Sequence, residues 1–303
     1  MLQLSKHVSI FLAIAMMTSA IADRASAQEG AAERLQALES YEHARISDQT
    51  PEDQRNHLIV AEYDRLFPFN EAKLRSMSDD ELRSAFSASY LAAFFAMDKR
   101  LGSEVEAYLH SLQQRGISVD RDFVKMHDIF IAMRMFDRAN ELRTAHPDLK
   151  MEKAPTVVGR PVGHSPSRLA LANQGDVLLD QPVHLTGKVL VVIAHPLCHF
   201  SVNAIKAISE QPALSALFKD AVWLAPPGPR LNIPEVTQWN IDHPGATLSF
   251  MDRREDWPMI DAWATPTFYF LDNGKVVAKV EGWPPANGMD DFKQAAARWK
   301  ADR

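Results

Sequence analysis

The chain has 303 residues, 46% hydrophobic and 24% charged, with a formal net charge of −6. This is the balance of a soluble globular protein long enough for two ordinary domains. The acidic balance and the lack of a Lys/Arg-rich run exclude the electrostatic footprint of a nucleic-acid binder, and a single cysteine excludes an internal disulfide.

At the N-terminus, Lys6 and His7 precede an apolar stretch at residues 8–17, and the small-residue site "ASA" follows at 25–27. That order reads as a secretory signal peptide, 1–27, cleaved after Ala27. The alternative is an uncleaved anchor, but the run is shorter than the about 20 residues a span needs. The expected location is periplasmic, an oxidising compartment, with membrane contact only through the signal peptide if it stays uncleaved.

Residues 28–150 read as an α-helical domain. "SDDELRSAFSASYLAAFFAM" opens with Ser78 and Glu81 at capping-box spacing, and Leu82, Phe86, Tyr90, Ala93 and Met97 recur at helical intervals. "SEVEAYLHSLQQRG" repeats the logic with Ser103, Glu106 and a stop at Gly116. Two further helices are expected from Asp120 and up to Pro147. "RANELRTAHPDL" faintly resembles half of a tetratricopeptide repeat, but no second copy follows at a fixed period. Plain helical packing is the bland reading, a partner-binding scaffold the sharper one. Tyr90, Phe94 and Phe95 are read as core.

Residues 151–167 carry three prolines and two glycines without apolar periodicity, and read as a linker containing a solvated His164. From 168 to 303 short strands alternate with helices. "GDVLLD" and "PVHL" read as strands, and 187–195 is a continuous apolar run of the kind buried on both faces of a sheet. A helix follows from Cys198 to Glu210. "AVWLAP" is a strand, "NIPEVTQWNIDH" a helix with Asn232 at its cap, and "ATLSFMD" a strand. "DRREDW" reads as a solvated charge run. "TPTFYFLDNGKVVAKVEGW" is a hairpin around "DNG", and "MDDFKQAAARWKA" a last helix. The expected class is α/β with a mainly parallel sheet and an antiparallel edge.

"DVLLDQPVHLTGKVLVVIAHPLCHFS" and "WATPTFYFLDNGKVV" resemble, in the right order, two motifs of the thioredoxin superfamily, in its exported TlpA-like and peroxiredoxin-like branch. The resemblance covers about residues 169–303 and implies a thioredoxin-like fold behind the helical domain. It also implies that Thr265 and a cis Pro266 dock a substrate strand beside Cys198.

The residues around Cys198 support a reactive thiol. A cysteine in the first turn of a helix sees the partial positive charge of unpaired N–H groups, which favours thiolate, the nucleophile. His199 and His195 would add charge when protonated, and the Ser201 hydroxyl would donate to the sulfur. The departures from the family are informative. Ser201 stands where the second cysteine is usual, giving "CHFS", a C-x-x-S motif. Leu197 replaces the usual aromatic residue and Val192 the buried acid. A dithiol cycle is therefore excluded.

The reading is a monothiol thiol–disulfide oxidoreductase or isomerase that forms mixed disulfides through Cys198, tuned by Ser201 and His199. It implies a protein thiol or disulfide client, an external reductant and no cofactor. A non-enzymatic binding module with a degenerate thioredoxin-like domain is the alternative. A metal-handling protein built on "HPLCH" is third, with no fourth ligand in view. Trp263 and Trp283 flank Pro266 and are read either as an apolar rim for a client or as core.

Overall fold

The computed structural model describes residues 30–47, 50–159, 166–285 and 289–301. The expected signal peptide and His164 lie outside them. Among the described residues no helix is long and apolar enough to cross a membrane.

The first part is helical, as the spacing predicts: α1 (Ala31–Ser47), α2 (Glu52–Leu66), α3 (Asp79–Ala96), α4 (Lys99–Gln114), α5 (Asp120–Ala132) and α6 (Phe136–Ala145). At the start of α3 the Ser78 hydroxyl accepts from Glu81 N–H while the Glu81 carboxylate accepts from Ser78 N–H, the reciprocal cap that satisfies two orphan donors. The expected cap at Ser103 is corrected. Asp98 caps α4, accepting from Arg100 and Leu101 N–H, so the helix begins five residues earlier. Ser103 sits inside and donates to Lys99 O. Gly116 ends α4 at φ +68°, which a residue without Cβ adopts freely. Of the three aromatic residues read as core, Phe94 is exposed.

The second part is one mixed sheet: β1 (Thr156–Val158), β2 (Ser167–Ala172), β3 (Val177–Pro182), β4 (Lys188–Ile193), β5 (Val222–Ala225), β6 (Leu248–Met251), β7 (Thr267–Asp272) and β8 (Lys275–Glu281). Their spatial order is β1-β3-β2-β6-β5-β4-β7-β8. Between them lie α7 (His199–Glu210), α8 (Pro212–Phe218) and α9 (Ile233–Asp242), and α10 (Met289–Ala301) closes the described chain. β4 pairs parallel with β5 through α7 and antiparallel with β7, and β7 pairs antiparallel with β8. This is the expected thioredoxin-like α/β arrangement behind an all-α part, but among the described residues four of the seven strand pairings are antiparallel, so the sheet is mixed and not mainly parallel as expected.

β4 is central because both its faces are apolar. Leu190, Val192 and Ala194 enter the core that holds Ala204, Ile205 and Ile208 of α7 and Phe292 of α10. Val191 and Ile193 enter a second core on the other face, with Trp257, Ile260, Trp263 and Tyr269. Asn273 and Gly274 make the β7–β8 turn at φ +48° and +77°, the left-handed pair a two-residue hairpin needs.

Three expectations change. Residues 151–159 are packed rather than an open linker: Met151 and Ala154 are buried, and Thr156–Val158 pairs with β3. "PVHL" is no strand; β3 stops at Pro182, and its antiparallel neighbour is the unforeseen β2. The charge run at 252–257 is not solvated throughout. Trp257 is fully buried and Arg254 lies under α2, its guanidinium 3.5 Å from Glu52. The helical part and the sheet share one continuous core, which runs from Leu38 through Met151 to Phe292.

Candidate active site

The apolar run of β4 ends at Ala194, and the chain turns over His195, Pro196 and Leu197 before α7 begins. Cys198 N–H donates to His195 O at 3.0 Å, and Cys198 O accepts from Val202 N–H at 3.0 Å, which places Cys198 at the N-cap of α7. A thiol is a weak acceptor, so the cysteine makes no side-chain cap. The half-buried sulfur therefore lies among backbone N–H groups at the positive end of a twelve-residue helix.

Thr265, 67 residues on, lies beside it. The Cys198 thiol donates to Thr265 O at 3.1 Å, and the Thr265–Pro266 bond is cis. The segment before Pro266 is tied at each step. The Tyr269 hydroxyl accepts from Ala262 N–H and donates to Asp261 Oδ1 at 2.8 Å, Glu52 Oε2 accepts from Trp263 N–H, and Thr267 Oγ1 donates to Ala264 O.

Burial pushes the Cys198 thiol up, but the Thr265 side chain, the Ser201 amide and hydroxyl, and the Phe200 amide together hold it below its ordinary value. The thiol's bond to Thr265 O belongs to the protonated form. On ionisation that bond is lost, and the sulfur keeps the donors at the helix start and the Thr265 side chain. Ser201 is buried, and its Oγ also accepts from His195 N–H at 3.3 Å, so one hydroxyl bridges the end of β4 and the sulfur.

His195 plays a different part from that expected. Burial lowers the pKa of His195, against the field of Glu235, which favours the neutral ring. Its Nδ1 accepts from Leu197 N–H at 3.2 Å and its Nε2 faces the Asn232 side chain at 3.4 Å, which makes it a brace of the turn. His199 is exposed, with its ring on Phe200 at 3.8 Å between centroids. The rings of "HPLCH" thus diverge. Among the described residues, no group of three His, Cys, Asp or Glu side chains converges to hold a metal.

Val192 is fully buried among apolar neighbours. Trp263 is buried in the second core with Arg254 over its ring at 5.1 Å. Trp283 packs on Phe292, with centroids 5.5 Å apart. The aromatic pair is therefore packing, and the apolar rim beside the sulfur is instead Leu197 and Phe200, 62% and 45% exposed.

Three residues near this turn were not foreseen. Asn232, expected to cap α9, has φ +53°, makes no side-chain cap and turns its amide to His195. Glu52 and Glu152 reach the site from far back in the chain. Glu152 Oε2 accepts from Leu231 N–H at 2.8 Å, beside Asn232. No local pattern marks either glutamate, because each contact exists only through the packing of the helical part on the sheet.

No family model and no curated protein matches the chain. Among solved structures, a thioredoxin-like protein from Bacteroides caccae ATCC 43185 is similar over 84% of this chain and 95% of its own, at 13% identity and a TM-score of 0.30.

Proposed function

We propose that the chain is an exported monothiol thiol–disulfide exchange protein. The observation that carries this reading is the placement of Cys198 Sγ at the N-terminus of α7, 3.1 Å from the Thr265 carbonyl, with its pKa held down. The Cys198 thiolate attacks one sulfur of a client disulfide. A bond forms between Sγ and that sulfur, and the client's second sulfur leaves as thiolate. Release needs another thiolate, because Ser201 occupies the resolving position and the chain has no second cysteine. If an external thiol attacks the client sulfur, Cys198 leaves as thiolate and the client keeps a mixed disulfide with that thiol. If a client thiolate attacks, the client's disulfide is re-paired with no net oxidation.

Leu197 and Phe200 support the docking of an unfolded or apolar client segment beside the sulfur, with Thr265 and Pro266 as the backbone it meets. The test is acid trapping of the exported protein, followed by pull-down and non-reducing electrophoresis. Reducible adducts that vanish in Cys198→Ala are expected. If wild type and Cys198→Ala recover the same partners without adducts, the redox reading is overturned in favour of a binding module.

A further inference from the structure

Glu52 opens α2 in the helical part, yet its carboxylate acts on the thioredoxin-like part. Oε2 accepts from Trp263 N–H at 3.0 Å, across 211 residues of sequence, and Oε1 faces Arg254 Nη2 at 3.5 Å. Arg254 in turn lies over the Trp263 ring, itself buried in the second core. The other backbone ties of this segment, at Ala262 and Ala264, come from Tyr269 and Thr267 of β7. Glu52 thus supplies a tie to Trp263 from outside the sheet. Two residues on, the chain reaches Thr265, which carries both the carbonyl that meets the thiol and the side chain that favours the thiolate.

We propose that Glu52 is a positioning residue for the thiol. It fixes Trp263 and thereby sets where Thr265 stands against Cys198. The helical part is then part of the thiol site, not an appended scaffold. Glu152 shows the same logic on a second loop: it holds Leu231 N–H, next to Asn232, which faces His195, which in turn holds Leu197 N–H. The inference deepens the monothiol reading and rests on it for its biological meaning. The ionisation of Cys198 can be read without any client.

The experiment uses the full chain and follows the rate of Cys198 alkylation by iodoacetamide against pH, with mass spectrometry as readout. With one cysteine in the chain the signal needs no assignment. Glu52→Gln keeps an acceptor oxygen for Trp263 N–H and loses the charge. Glu52→Asp keeps the charge and is one methylene short; Glu52→Ala loses both. Positioning predicts that Gln titrates like wild type, while Asp and Ala shift the midpoint up towards a free thiol, because the Thr265 donor is lost. An effect of charge alone would reverse the pattern, with Gln shifted down and Asp unchanged, and would overturn the proposal. So would three midpoints equal to wild type. Should Glu52→Ala fail to fold, the Gln and Asp pair decides. Absence of client adducts in wild type, with the predicted order of midpoints kept, overturns the exchange function and leaves the positioning role standing.

Discussion

Cys198 Sγ and the Thr265 carbonyl oxygen are 3.1 Å apart although 67 residues separate them, because β4 and β7 are antiparallel neighbours from Lys188↔Asp272 to Ile193↔Thr267. The end of β4 that releases the chain towards Cys198 is therefore the end at which the chain enters β7. The sheet register brings the two together, and the helix start adds the field.

Ser201→Ala removes a donor to the sulfur and the acceptor of His195 N–H. The Cys198 midpoint should rise, with a stability loss of about 1 kcal/mol. Ser201→Cys should supply the missing half: adducts in the acid-trapped pull-down decline as an internal thiol releases the client. Persistent adducts with Ser201→Cys would show that position 201 does not act on the mixed disulfide.

Stability should follow the thiol. The folded state holds Cys198 below the ordinary value of a free thiol. Between the folded midpoint and that value the unfolded chain binds more protons, so stability rises with pH across the window and loses this contribution below it. Thermal melts of wild type against Cys198→Ser should diverge upwards over that window. Parallel curves would contradict the shift.

Asp128, on α5, has the opposite sign. Burial raises its pKa to about 6; Arg230 opposes the rise and Glu152 adds to it. The folded state binds the extra proton between the ordinary carboxylate value and about 6, so stability falls as pH rises through that range. Asp128→Asn should remove this slope and gain on the order of 1 kcal/mol at pH 7, once solvent screening is allowed for. Tyr90, raised first by burial and then by the field of Asp128, should titrate lower in the same variant.

Leu197→Asp and Phe200→Asp change exposed side chains, so stability should stay within about 0.5 kcal/mol of wild type. Capture of apolar clients should fall while the folded protein persists. Unchanged capture would place the docking surface elsewhere.

Arg134 is buried at φ +57° between the two parts, with Nε donating to Met251 O at 3.0 Å and Nη1 to Ile131 O at 3.3 Å. Desolvation lowers its pKa to about 10. Arg134→Ala leaves the Met251 carbonyl without this donor and opens a void, at a cost of about 1–3 kcal/mol by denaturant titration.

Much of this architecture is local and was legible. Residues 187–195 could only be a strand buried on both faces, Ser78 and Glu81 a helix start, "DNG" a hairpin turn, and Cys198 the head of a helix. Each follows from side-chain chemistry within a few positions. β2 is not legible because four of the six residues of "SRLALA" are only partly buried and its alternation is weak. Trp257 and Arg254 were misread because a charge run reveals nothing of the helix that covers it.

By itself the sequence determined the single thiol, its missing partner at Ser201 and the order of strands and helices that frames it. Only the tertiary structure decided that His195 braces the turn, that Asn232 turns to it instead of capping α9, and that Glu52 grips the segment before Thr265. The reason is range. Hydrogen-bond capping and hydrophobic period act over a turn or two of chain. Desolvation and contacts across 67 or 211 residues exist only once the helical part and the sheet have closed on one core.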